Sequence, residues 1–365
     1  MSKEAVLALN FGEPEEPTEE AVLPFLERIF RVNARLEEHH EPEEARRRSR
    51  ELAEQRAPGL LEEYRAIGGS PLNRQARAQA QALNLELFRR GHQVPVYSAM
   101  QFTEPTIPQV IKQARADGVE HLIGLPVYPL CGPSTNVASL DQVEAALEEI
   151  DWPVPFHGIT GWHRHPLYLE LRANGIRAFL HQEGLSLSDP EVHLVFSAHG
   201  TPQHYIDEGS RYLEYVEEFC TDLAEALEAD TYELGYQNHA NRGIPWTRPD
   251  LEDVVQELGG KTLVVVPVSF MHEQSETLAE LDVELREEAE EVDARLLRVP
   301  IPHDDTRFPR LLADLVEPFL DEAVPESGPT GEARFDGGLR WAPCRCRPRT
   351  GTVCLNAAPR QDQDG

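Results

Sequence analysis

Short apolar runs alternate with longer amphipathic ones along nearly the whole chain. "EAVLALNFG" reads as a strand closing on a glycine turn, and "TEEAVLPFLERIFR" as a helix with acids in its first turn, as the helix dipole favours. "RAQAQALNLELFRRG" predicts a helix stopped by Gly91. The strands "VPVYSAMQF" and "VEHLIGLPVYP" flank the helix "TIPQVIKQARADG", and "SLDQVEAALEEI" is the next helix. The rhythm then repeats. "PVPFHGI", "EVHLVFSAHG", "TYELGYQ", "KTLVVVPVSF" and "ARLLRVPI" read as strands. "SRYLEYVEEFCTDLAEAL", "RPDLEDVVQELGG", "SETLAELDVELREEAEE" and "FPRLLADLVEPFL" read as helices. Strands alternating with helices imply parallel sheets covered on both faces.

The predicted architecture is α/β, with two Rossmann-like, doubly wound parallel-sheet domains over residues 1–158 and 159–320. Residues 321–365 form a linker rich in Pro, Gly and acids, then a cysteine-bearing C-terminal tail. A chain of 365 residues is too long for one typical core. Ligands of such sheets bind at the carboxyl ends of the strands.

Composition narrows the class. No apolar run approaches the roughly 20 residues of a membrane span. The start, "MSKEAVLALNFGEP", lacks a basic region followed by a long apolar one, so a cytoplasmic protein is expected. The net charge of -30 argues against nucleic acid, whose phosphates it would repel. Lys3, Lys112 and Lys261 are the only lysines, a balance that suits a surface working in high salt. The cysteines are Cys131, Cys220, Cys344, Cys346 and Cys354, odd in number and crowded towards the tail. A disulfide framework does not fit a cytoplasmic chain of this size.

Several features with chemical potential fall at strand ends. "IGGSPLNRQ" places a glycine turn before a helix that Ser70 is expected to cap, but it lacks the phosphate-binding G-x-G-x-x-G spacing and a Walker lysine. "LPVYPLCGPSTNVAS" is a hydroxyl-rich loop. "VHLVFSAHGTP" delivers His199 to the end of a buried strand, where it is a satisfied structural histidine, a base or a metal ligand. Glu276, Glu280 and Glu284 recur at i, i+4 and i+8 on one helix face, and Glu287 and Glu288 extend the run. Stacked like charges cost a few tenths of a kcal/mol per pair, on the order of 0.2–0.5. They are either a solvated face or a path for protons or a divalent cation leading away from the buried strand "TLVVVPVSF".

Taken in order, "LNFGEP", "GGSPLN", "GVEHLIGLPVYP", "STNVASLD", "FSAHGTP", "YQNHANRGIPWTRPDLEDV" and "SETLAELDVE" resemble the ferrochelatase family, which inserts ferrous iron into a porphyrin to make haem. The likeness runs from about Val6 to about Leu320. It implies that His199 accepts pyrrole protons or takes part in metal binding, that Glu276 faces it across a cleft, and that Glu280 and Glu284 form an acidic path for the Fe2+ substrate. It implies that Phe11, Ser70, Ser134, Thr135 and Trp246 contact the porphyrin. The expected substrate is protoporphyrin IX, with coproporphyrin as the alternative. A tetrapyrrole-binding protein without turnover and a chelatase for cobalt or nickel are the competing readings. Peripheral membrane contact would suit a poorly soluble product.

The chain also departs from the family pattern. Gln101 stands where many members carry a basic residue that could meet a propionate, with Arg74 and Arg242 as possible substitutes. Gln274 stands where relatives often carry histidine, and His272 lies two residues earlier. The tail resembles an extension that holds a [2Fe-2S] cluster in some members. Such a cluster needs four thiolates. Cys344, Cys346 and Cys354 would give three and Cys131 the fourth. A zinc site completed by histidine and untethered thiols are the alternatives there.

Overall fold

The computed structural model describes residues 3–34, 42–238, 244–320, 334–336 and 338–359. Two sheets organise them. The strands of the first are β1 (Glu4–Asn10), β2 (Val96–Met100), β3 (His121–Pro126) and β4 (Phe156–Ile159), joined by β9 (Arg334–Asp336), β10 (Leu339–Pro343) and β11 (Thr352–Cys354). Their order is β2-β1-β3-β4-β11-β10-β9. The second sheet contains β5 (Val192–His199), β6 (Glu233–Gln237), β7 (Thr262–Pro267) and β8 (Arg295–Arg298), in the order β6-β5-β7-β8.

Burial explains the apolar runs. All seven residues of β1 are buried between β2 and β3, to which it pairs in parallel. β7 lies between β5 and β8 and buries five of its six residues, again with parallel partners. A strand covered on both faces needs no alternation, so continuous Val, Leu and Ala is the pattern that survives.

The tail differs from the expected appendage. Its strand β11 pairs in parallel with β4, through Thr352 to Gly158 and Val353 to Ile159, and β10 returns antiparallel to β11. It is therefore part of the first sheet. Arg347 is 2% exposed, donating from Nε to Asp141 at 2.8 Å and pairing through Nη2 with Glu144 at 2.6 Å. Both acids lie on the helix Ala138–Glu149. Asn356 is fully buried and donates to the Pro129 carbonyl at 3.0 Å. The predicted linker lies mostly outside the described residues.

Two long helices, and the five-residue helix Gln203–Asp207, carry no expectation from the sequence. Pro42–Ile67 packs against the helix Glu19–Ala34, with Leu60, Leu61 and Tyr64 on its buried side. Pro166–Glu183 packs against the helix Tyr212–Leu227 of the second half. Phe308–Val316, the last α-helix before the tail, reaches back to the first half and packs on Leu72–Arg89. Arg90 fixes that contact, donating to Asp314 at 2.7 Å and Glu317 at 2.8 Å.

Candidate functional site

A cleft of about 600 Å³ opens where the carboxyl ends of both sheets meet. Its apolar wall includes Phe11, Ile29, Val32, Phe102, Leu130 and Phe270. Phe11 and Phe102 touch with ring centroids 4.6 Å apart. The Phe11 amide donates to the Tyr128 hydroxyl at 2.9 Å, which holds the first strand's end against the cleft. Ser134 and Thr135 lie in a short π-helix, Pro133–Val137, and line the cavity with Trp246. Gln101 is buried outside the wall, donating to the Ser134 carbonyl at 3.3 Å.

His199 and Glu276 line this same cavity. His199 is half-buried at the last position of β5. Its amide donates to Ser269 Oγ at 3.0 Å, and its carbonyl accepts from the Tyr212 hydroxyl at 2.9 Å. Its Nδ1 lies 2.6 Å from the Gly200 carbonyl. A carbonyl only accepts, so Nδ1 carries a hydrogen, and in the neutral ring Nε2 carries the lone pair. The next residue must be glycine for space. A Cβ at Gly200 would stand 1.7 Å from Asn238 Oδ1 and 2.9 Å from the Gln237 carbonyl.

The acidic segment is a π-helix, Glu276–Glu284, running into the α-helix Leu285–Glu291, where one continuous α-helix was expected. The Leu285 amide bonds to the Glu280 carbonyl, five residues back. Such π segments are rare and concentrate at functional sites. Two glutamine side chains bond to its first turn and to the acids it carries. Gln237, at the end of β6, donates one amide group to the Glu276 carbonyl at 2.9 Å and to Glu280 Oε2 at 2.8 Å. Gln274 Nε2 donates to Glu276 Oε2 at 2.9 Å.

The three helix acids differ in setting. Glu276 faces the cleft, Glu280 is half-buried behind it and Glu284 is exposed. Glu280 and Glu284 therefore do not line the cavity; they lead from it to solvent. Burial pushes the Glu276 carboxyl up, and burial and then the Glu276 charge push Glu280 well above the usual carboxylate range. Both hold protons more tightly than a free side chain.

Glu13 was not singled out in the sequence, yet it is 2% exposed and meets this helix from the first half. Its Oε2 accepts from the Ser275 amide at 3.1 Å, and its Oε1 accepts from the Ser275 hydroxyl. The same hydroxyl lies 3.0 Å from Glu276 Oε2. Burial, then the Glu276 charge, pushes the Glu13 carboxyl up to about 7, against hydrogen bonds from Ser275 and Ser70.

That bond corrects the expectation for Ser70. It does not line the cleft. It is 3% exposed, accepts from the Leu72 amide at 3.2 Å and supports Glu13. The adjoining glycines also serve packing: a Cβ at Gly69, whose φ is +90°, would stand 2.0 Å from the Glu15 carbonyl. His272 is also outside the cleft. It is buried beside Gln79, with 2.6 Å between Nε2 and Oε1, and burial lowers its pKa to about 3, so the ring is neutral. Arg74 is exposed and does not line the cavity, and Arg242 lies outside the described residues.

Four cysteines gather at the tail. The Cys354 thiol donates to the Gly161 carbonyl at 3.3 Å, and Cys344 Sγ accepts from the Arg347 amide at 3.3 Å. The neighbouring sulfurs, Cys131 foremost, draw the Cys344 thiol well below its usual range. Cys344 in turn pushes Cys131 up, and burial and then Cys344 push Cys354 up. Cys131 works to lower Cys346, but Cys344 and burial prevail and raise it to about 11. Cys220 is buried in the core on the helix Tyr212–Leu227. Among the described residues, no three His, Cys, Asp or Glu side chains already stand in an arrangement that could hold a metal ion.

The family model and the curated relatives agree on one family. The model of the ferrochelatase family matches residues 3–319. A ferrochelatase of Synechococcus sp. (strain JA-3-3Ab) is 37% identical over 336 residues, covering 89% of this chain and 96% of its own. A ferrochelatase of Nostoc punctiforme is 36% identical over 338 residues, covering 87% and 82%. Among solved structures, SirB from Bacillus subtilis with Fe3+ superposes with a TM-score of 0.50 at 12% identity, over 86% of this chain and 96% of that one, a likeness of fold. With a cleft between the two sheets lined by His199, Glu276 and Trp246, and with the family match over residues 3–319, the chain belongs to the ferrochelatase family.

Proposed function

We propose that this ferrochelatase inserts ferrous iron into protoporphyrin IX inside the cleft, with His199 and Glu276 at the reacting centre. The observation that carries this reading is the presence of an imidazole and a carboxylate on one largely apolar cavity. The reaction exchanges two pyrrole protons for one Fe2+. A flat ring keeps its nitrogen lone pairs in plane, so contacts along its apolar faces must drive the distortion that exposes them. With Nδ1 hydrogen-bonded to the Gly200 carbonyl, Nε2 of His199 is the atom suited to take a pyrrole proton. Glu276 meets the cation, and Glu280 and Glu284 lead it in from solvent as protons leave.

The cleft favours a dicarboxylate porphyrin over a tetracarboxylate one. Among the described residues lining it, Arg345 is the one lysine or arginine, against Asp141, Glu208 and Glu276. No helix among the described residues is long and apolar enough to cross a membrane. We place the reaction in the cytoplasm, with peripheral membrane contact at product release.

The tail cysteines fit a [2Fe-2S] cluster by donor chemistry: with Cys131 they supply the four thiols it needs, and Cys344 is drawn towards thiolate. Cys131, Cys344, Cys346 and Cys354 would hold it. Because Cys131 follows β3 and the others come from the tail, the cluster would pin the tail to the first sheet. Anaerobically purified protein should show the visible absorption of such a cluster, and Cys131→Ser should abolish it. Colourless protein without bound iron and sulfide would refute this assignment.

The direct test of the function is iron-dependent loss of free-porphyrin fluorescence under reducing conditions. Loss is expected, and faster with protoporphyrin than with coproporphyrin. No iron-dependent loss would overturn the chelatase reading. Faster loss with coproporphyrin would overturn the substrate choice alone.

A further inference from the structure

We infer that Arg345, carried on the tail between Cys344 and Cys346, anchors an acidic substituent of the ring at the mouth of the cleft. This rests on the porphyrin reading and goes beyond it by naming a substrate-binding residue outside the matched family region, which ends at residue 319.

Three observations converge. First, the tail folds back far enough that Arg345, Cys346 and Pro348 form part of the cavity wall. Second, the neighbouring arginines are already engaged. Arg347 is buried and pairs with Asp141 and Glu144. Arg349 lies 3.5 Å from Asp141 and 3.4 Å from Glu144. Their charges offset the acids of the helix Ala138–Glu149 that border the cleft. Arg345 is exposed and makes no ion pair with a described residue. Third, the position expected to supply the basic group is Gln101, which is turned to a backbone carbonyl outside the cavity.

A carboxylate cannot enter the apolar floor without losing its hydration. It must stay at the rim, where the exposed Glu208 would repel it. A planar guanidinium can meet a carboxylate with two parallel hydrogen bonds. The ligand class is therefore a flat apolar ring with a short, flexible carboxylate arm.

The test is titration of the full chain by porphyrin fluorescence, using a dicarboxylate porphyrin and its dimethyl ester. Arg345→Ala should weaken binding of the free acid about fivefold, between an exposed ion pair and a charged hydrogen bond. It should leave the ester unchanged. Arg345→Lys should recover part of the loss, and added salt should narrow the gap between wild type and variant. Arg295→Ala, which removes an exposed arginine charge outside the cavity, should change neither ligand. Equal weakening of acid and ester would overturn the proposal, because it would mean a displaced tail. Unchanged binding of the acid would also overturn it. A wild-type chain that binds neither porphyrin would overturn the functional reading itself.

Discussion

His199→Ala is expected to lower the rate of iron insertion by about 10²–10⁴, the range for removing a positioned base. Porphyrin binding should be retained. The two outcomes separate because the ring and the backbone of His199 do different work. The backbone is clamped by Ser269 Oγ and the Tyr212 hydroxyl, which contact each other at 2.8 Å. Alanine keeps those bonds. The imidazole is half-buried and meets Phe270 edge-on, at 6.1 Å between centroids, so its removal opens little closed volume. The apolar wall that grips the ring is made by other residues. Fluorescence reads both quantities, through quenching on binding and through iron-dependent loss on insertion. Insertion at the wild-type rate would remove His199 from the chemistry, and loss of binding would make it a wall residue instead.

The halves and the strand-end residues were legible for a physical reason. A buried parallel strand is mostly apolar, so a polar residue at its carboxyl end stands out, as His199 does after "VHLVFSA". Glu276 gained meaning only from following β7. Other parts left no local trace. Pairing of β11 with β4 joins distant segments in parallel, and such pairing needs no turn signature. The helix Pro42–Ile67 is charge-rich and carries Pro58 within it, which breaks the expected signal. Glu13 was one acid among 64 Asp and Glu, and its burial against Ser275 depends on contact between the two halves. Gln237 reads as an ordinary strand residue until the π-helix presents the Glu276 carbonyl to it.

That missed residue carries the second large effect. Glu13→Gln should stabilise the metal-free protein at pH 8 and hardly change it near pH 5. The Glu13 carboxyl is raised from 4.5 to about 7 in the folded chain, so the folded form holds its proton more tightly than the unfolded one. The stability contributed by that proton is present below the unfolded value and is lost as pH rises through about 7. Above it, a buried carboxylate faces the Glu276 charge across the Ser275 hydroxyl. Glutamine has no proton to lose and its carbonyl can still accept from Ser275. At 1.36 kcal/mol per pKa unit the gain is at most about 3 kcal/mol, reduced because Glu276 ionises more readily once its neighbour is neutral. Urea midpoints of wild type and variant at the two pH values read it directly. An equal difference at both, or a less stable variant at pH 8, would show that Glu13 is not charged at the wild-type protein's expense. The same costly pairing links "LNFGEP" to the first residues of the π-helix, so the variant separates the energetic cost of placing Glu276 from the hydrogen bonds that place it.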